Sequence, residues 1–239
     1  MSGVWLIALP TLWPTSALDN DDRDEAVHDP ETGPGVGPGV GPWIGAWPDD
    51  PRLDPDLLRE GDHRNVADEY RYWTLEAIID DLDAKRHPFH VAIENLEHDF
   101  NIGSIVRTAN AFMAKEVHIV GRKRWNRRGA MVTDRYQHIR HHDSVAELAN
   151  WCRAEELPII GLDNIPGSVP LEEFHLPKAC VLFFGQEGAG LSADAQQACT
   201  ATVSIAQFGS TRSINVGAAA AIATHAWIRR YRFGQVPPE

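Results

Sequence analysis

Five short apolar runs, separated by helical stretches, constrain this chain more than any other feature. They are "FHVAIEN" (89–95), "EVHIVG" (116–121), "LPIIGLD" (157–163), "CVLFFG" (180–185) and "ATVSIA" (201–206). Runs this short, rich in Val, Ile and Phe, read as buried strands. Between them "NIGSIVRTANAFM", "SVAELANWCRAEE" and "SADAQQAC" read as helices, and the alanine-rich stretch after Asn215 reads as a last helix that wants burial. Strands alternating with helices predict an α/β fold, a parallel sheet flanked by helices. In such sheets ligands gather at the carboxyl ends of the strands, and the unusual residues of this chain fall there.

The texture before residue 89 is different. Residues 1–52 contain the acidic run "DNDDRDEAVHDPE" and the low-complexity "GPGVGPGVGP", which predict a disordered acidic leader. Residues 53–88 predict an N-terminal helical extension ending near His87–Pro88, and residues 89–233 the main domain. The net charge of −12 argues against a nucleic-acid partner only as an average. Residues 1–62 hold 13 Asp/Glu against 3 Lys/Arg, whereas residues 63–239 hold 21 against 19. Cys152, Cys180 and Cys199 stand far apart and suggest neither a zinc site nor a disulfide framework. The apolar start "MSGVWLIALP" lacks a preceding cation and is too short to span a bilayer, so a soluble, cytoplasmic protein is expected.

Three constellations stand at strand ends. In "NIGSIVRTANAF" (101–112), Asn101 sits at a loop-to-helix junction, Gly103 permits close approach to the backbone, and Arg107 interrupts an apolar helix. Arg107 suits either a structural ion pair or a phosphate grip. In "FFGQEGAGLS" (183–192 with its strand), Gly185, Gly188 and Gly190 form a loop of little bulk around Glu187, and Ser192 is placed to cap the next helix. It is neither a Walker loop nor a G-x-G-x-x-G turn. In "GSTRSINVGAAAAI", Ser213 is expected to cap the last helix, which would put Asn215 inside the first turn, where no cap is needed. Ala218–Ala221 give that helix a surface without bulk.

Together, in this order, the three segments resemble the SpoU family of RNA ribose methyltransferases, within the SPOUT superfamily. The resemblance runs from about residue 89 to 231. It implies a C-terminal deep trefoil knot, a homodimer, and S-adenosylmethionine as cofactor. It implies catalytic roles for Asn101, Arg107, Ser213 and Asn215, and cofactor contacts from Gly185, Glu187, Gly188, Gly190, Ile205 and Ile214. Ile214 stands where the family more commonly has Leu, and "AQFG" replaces a Pro-containing loop. The implied reaction is methylation of a ribose 2′-hydroxyl in tRNA or rRNA, with a catalytically silent RNA binder on the same fold as the alternative.

An RNA surface is visible independently of the resemblance. "GRKRWNRRGAMVTDRYQHIRHH" (121–142) carries seven Lys/Arg against the single acid Asp134. Arg122, Lys123, Arg124, Arg127, Arg128 and Arg135 are the expected phosphate contacts, with Trp125 and Tyr136 as faces for unstacked bases. His138, His141 and His142 lack a carboxylate or Cys at ligand spacing, so no metal is expected there.

Overall fold

The computed structural model describes residues 39–95, 101–186 and 188–235. Seven strands form one sheet in the order β3-β2-β1-β6-β4-β7-β5. They are β1 (Phe89–Asn95), β2 (Val117–Gly121), β3 (Ile139–His142), β4 (Ile159–Leu162), β5 (Val169–Pro170), β6 (Cys180–Phe184) and β7 (Ala201–Ser204). Every pairing between them is parallel. All five strands expected from the apolar runs are present, within two residues at each end. β3 and the two-residue β5 were not expected.

The alternating side chains of the strands feed two cores. On one face Val91, Ile93, Leu182 and Phe184 pack with α3 (Asn101–Ala111) and α6 (Val216–Phe233) through Ile102, Ile105, Ala223 and Trp227. On the other, Ala92, Val120, Val181 and Phe183 pack with α4 (Val145–Ala154) and α5 (Ala193–Ala198) through Leu148, Cys152 and Ala195. The central strands β1 and β6 are buried along their whole length. That is why they read as continuous apolar runs. The small residues of α6 serve this packing: Gly217 and Ala220 are buried, and α6 lies against α3 of the same chain. Burial pushes the thiols of Cys152, Cys180 and Cys199 up to about 12, so none is a reactive thiolate. Burial also pushes His90 down to about 4 and His118 down to about 2, leaving both imidazoles neutral.

Residues 1–38 lie outside the described residues, but residues 39–52 are tied to the extension. Val40 and Asp62 exchange backbone hydrogen bonds, and Trp43 N–H donates to Leu58 O. Trp43 packs edge-on against Tyr72, and Arg52 lies over Trp73. The extension holds α1 (Pro55–Glu60) and α2 (Leu75–Lys85), capped by Asp54 and Thr74. Helix is absent between them apart from one 3-10 turn at Asp68–Tyr70, so the extension expected over 53–88 is helical only in part, and its last helix begins at Leu75.

Asp62 is the polar centre of this extension. It is fully buried and accepts from the Arg64 guanidinium at 2.7 and 2.9 Å and from the N–H of Arg64 and Tyr72. Burial pushes its carboxyl up, but the donors outweigh it, the Arg64 guanidinium foremost, and hold the carboxyl down at about 2. Asp62→Ala removes the acceptor and strands its donors, an expected loss of about 2–3 kcal/mol. Thermal denaturation should show a Tm lower by roughly 5–10 °C. An unchanged Tm would mean the extension contributes nothing to the stability of the domain.

Candidate active site

A cleft of about 340 Å³ opens at the carboxyl ends of β4, β6 and β7. Three loops meet there. The loop after β4 supplies Asp163, Asn164 and Ile165; the glycine loop after β6 supplies Gly185, Gln186, Gly188 and Gly190; the segment between β7 and α6 supplies Ile205, Gln207, Ser213, Ile214 and Asn215. Leu162, Phe184 and Val203 form the apolar floor. Five of the six expected cofactor contacts therefore line one cavity. The sixth, Glu187, lies outside the described residues.

The glycine loop is shaped by contacts with itself. Gln186 and Gly190 exchange backbone hydrogen bonds at 3.0 Å, pinching the loop into a tight turn. A Cβ on Gly185 would stand 2.0 Å from Gly190 C. Gly185 is thus required by closure of the loop, before any ligand is considered. Gly188 and Gly190 take φ of 90° and 70°, which glycine adopts without a steric cost.

Two buried or half-buried carboxylates hold this loop, and both escaped the sequence reading. Asp163 accepts from Leu191 N–H at 2.8 Å. Glu94, fully buried on β1, accepts from Ser192 N–H at 2.8 Å and from the Ser192 hydroxyl at 2.6 Å. Ser192 in turn caps α5, as expected, by accepting from Ala195 N–H. The available signal was a charged residue inside an otherwise apolar strand run, "HVAIEN", and another ending "IIGLD". Lys, Glu, Arg and Asp are almost never buried unless paired.

The cap of α6 corrects the sequence reading. Asn215, not Ser213, is the N-cap: its Oδ1 accepts from Gly217 and Ala218 N–H at 2.9 and 3.2 Å. The helix starts one residue after Asn215, because the amide oxygen reaches the free N–H groups at the same spacing as a hydroxyl would. Ser213 is exposed and lines the cleft. Asn215 Nδ2 donates to Asn101 Oδ1 at 3.0 Å, so the first turns of α3 and α6 are joined across 114 residues. Arg107, by contrast, is exposed on α3 and does not line the cleft.

The basic segment seats beside the same end of α3. A Cβ on Gly103 would stand 2.7 Å from Ala130 N and 2.8 Å from Gly129 Cα. The partner that approaches Gly103 is therefore the chain itself, residues 126–130. Asn95 Nδ2 fixes the start of the segment by donating to the carbonyls of Arg122 and Arg124. Arg86 fixes its end by donating to Tyr136 O at 2.6 Å and Gln137 Oε1 at 2.8 Å. Arg122, Lys123, Arg124, Arg127, Arg128 and Arg135 are all exposed, and Arg127 reaches Asp134 at 3.3 Å. Tyr136 is no base platform: it is buried against Tyr70 and Ile78 of the extension. Trp125 is half-buried against the core, with the Arg127 guanidinium 5.6 Å from its ring. His138, His141 and His142 do not converge. They meet Asp83, Gly121 O and His118 respectively.

The model of the SpoU rRNA Methylase family matches residues 88–225. An uncharacterized tRNA/rRNA methyltransferase of Synechocystis is 30% identical over 190 residues, covering 74% of this chain and 48% of its own. The tRNA (guanosine(18)-2′-O)-methyltransferase of Escherichia coli is 24% identical over 153 residues, covering 62% of this chain and 67% of its own. The SpoU methyltransferase AviRb of Streptomyces viridochromogenes, solved in complex with AdoMet, superposes with a TM-score of 0.57 at 26% identity, over 63% of this chain and 60% of that one. This chain spans about half the length of the first of these relatives. Among the described residues no helix is long and apolar enough to cross a membrane.

Proposed function

Because this chain belongs to the SpoU rRNA methylase family, we propose that it transfers a methyl group from S-adenosylmethionine to a ribose 2′-hydroxyl of tRNA or rRNA in the cytoplasm. The observation that carries this reading is the meeting of the three loop segments in one cleft. Its walls suit the cofactor. Leu162, Phe184, Ile205 and Ile214 offer apolar surface for an adenine, and the bare glycine loop offers backbone groups. Asp163 brings the one carboxylate among the described lining residues, a favourable neighbour for a cationic ligand. When bound, S-adenosylmethionine supplies an electrophilic methyl on a sulfonium.

The chain's own residues then position and exclude. Asn215, held to Asn101, sets the rim of the cleft against α3, where the ribose enters. Ser213 offers a hydroxyl at that rim. Alignment of this kind supplies a large part of the acceleration in a displacement reaction. Arg107 stands outside the cleft, which favours an anchor for the adjacent phosphate over a proton acceptor. A guanidinium does not deprotonate in proteins. The exposed cations of 122–135 belong to the segment packed against Gly103 of α3 and carry the RNA backbone. The same reading includes a trefoil knot and a homodimer. A groove of about 320 Å³ between residues 171–176 and α6, with Ile222 exposed at its edge, supports the dimer. Light scattering at micromolar concentration should report about twice the 26.5 kDa chain mass. A monomer that still methylates RNA would remove the dimer from the reading.

The test is methyl incorporation from labelled S-adenosylmethionine into tRNA and rRNA from cells lacking the protein. Ribose methylation blocks alkaline cleavage of the following phosphodiester, so the label should survive hydrolysis in dinucleotides. Label in mononucleotides would point to base methylation. Binding of RNA and cofactor without any transfer would establish the silent-binder alternative. Gly103→Val separates RNA binding from cofactor binding. Its side chain displaces residues 126–130, so RNA affinity should fall by about tenfold or more and the salt dependence should flatten, with cofactor affinity retained. Equal RNA affinity in filter binding across a salt series would place the RNA elsewhere.

A further inference from the structure

Away from the cleft, the α4 face of the sheet buries three imidazoles in a row. His90 is the second residue of β1, His118 lies on β2 and His142 closes β3. The register pairs Ala92 with His118 and Val120 with His142, so each histidine steps two residues along from the last. They are 8%, 0% and 2% exposed. His90 Nδ1 lies 3.0 Å from His118 Nε2, and His118 Nδ1 lies 3.0 Å from His142 Nε2. Trp151 of α4 covers the row, its ring 4.4 Å from that of His118. Glu116, just before β2, brings Oε2 to 3.9 Å from His118 Nε2, and its Oε1 is held by Arg140 Nε at 3.1 Å.

Packing alone does not explain this. Beside His90 on β1 stand Phe89, Val91 and Ala92, and beside His118 on β2 stand Val117, Ile119 and Val120, apolar residues that would fill the space without polar atoms to satisfy. Three imidazoles bring six nitrogens, and His142 Nδ1 is buried without a partner. A buried polar group short of partners calls for an explanation.

We infer that His90 Nδ1, His118 Nε2 and the Glu116 carboxylate form a binding site for a divalent transition-metal ion of the zinc type. The ligand atoms of these three residues all lie within 4.8 Å of one another. Nitrogens 3.0 Å apart can both reach an ion about 2.1 Å from each. Two imidazoles and one carboxylate suit Zn²⁺, Co²⁺ or Ni²⁺, and not Mg²⁺ or Ca²⁺, which take oxygen donors. The surroundings act as supports. With its proton on Nδ1, 3.0 Å from His142 Nε2, His118 presents the Nε2 lone pair to the ion, and Arg140 orients the carboxylate. Both ligand strands are joined at their amino ends, opposite the cleft, so the ion ties β1 to β2 and takes no part in methyl transfer.

The experiment uses the full chain without an affinity tag, treated with chelator and dialysed. Zn²⁺ titrated calorimetrically should bind at about one ion per chain, with a dissociation constant in roughly the micromolar range. Co²⁺ should give visible absorption bands at the same stoichiometry. Glu116→Gln keeps the size of a partly exposed side chain and removes its charge; His90→Gln removes one nitrogen ligand. Each should weaken binding at least about tenfold while circular dichroism confirms the fold. His138→Gln, on the exposed Asp83 pair, should bind as the wild type does. Absence of a stoichiometric site in the wild type, or equal binding by Glu116→Gln and His90→Gln, would overturn the inference.

Discussion

Gly185→Val is expected to abolish measurable binding of S-adenosylmethionine and its demethylated product, a loss of at least about 100-fold in affinity, or about 2.7 kcal/mol. The reason lies in the loop, not in the ligand. A Cβ at this position would stand 2.0 Å from Gly190 C and 2.2 Å from Gly190 O and Leu191 N. All three are backbone atoms in a turn closed by the Gln186–Gly190 pair and tethered to Asp163. None can yield by a rotamer change, so the turn must open, and its residues form one wall of the cleft. Gly188→Ala provides the contrast. Nothing lies within 4 Å of its Cβ, although φ is 90°, so the strain is only about 1–2 kcal/mol and binding should weaken less than tenfold. Calorimetry with S-adenosylhomocysteine checks both, with melting curves to confirm folding. Full binding by Gly185→Val would place the cofactor in another cavity.

Asn215→Ala should lower the single-turnover rate of methyl transfer by about 100- to 1000-fold, the range seen when a positioning or charge-stabilising group is lost. The stability change should be small. Losing the cap costs about 1 kcal/mol, or roughly 2–4 °C in Tm. The two roles of Asn215 can be parted. Asn215→Asp keeps an oxygen for Gly217 and Ala218 N–H but has no Nδ2 to donate to Asn101 Oδ1. It should therefore melt like the wild type and transfer methyl slowly. If Asn215→Ala and Asn215→Asp both react at the wild-type rate, the link between α3 and α6 has no part in catalysis.

Legibility in the sequence tracked burial. β1 and β6 are covered on both faces, so every side chain votes for strand. β3 is an edge strand reading "IRHH", with Arg140 exposed beside buried His142. A half-wet strand made of Arg and His looks like part of the basic loop around it. The burial of Tyr136 is hidden in the sequence for the same reason. Its neighbours Arg135 and His138 are exposed, while its own ring turns into the cluster formed with Tyr70 and Ile78, more than fifty residues earlier.

What the sequence by itself determined is the part written in local chemistry. Apolar runs and helical spacing specified the parallel α/β sheet. The glycines, Ser192 and the polar start of the last helix marked the loops that meet at the cleft, and the charge asymmetry separated the acidic leader from a nearly neutral domain. Only the tertiary structure decided which distant residues share a hydrogen bond. Glu94 holds Ser192 across 98 residues, Asn101 meets Asn215 across 114, and three histidines on three strands fall into one row. Each of these depends on strand order and on register, where a slip of one residue turns every side chain to the other face. That choice is made by the packing of the whole sheet, and no short window of residues contains it.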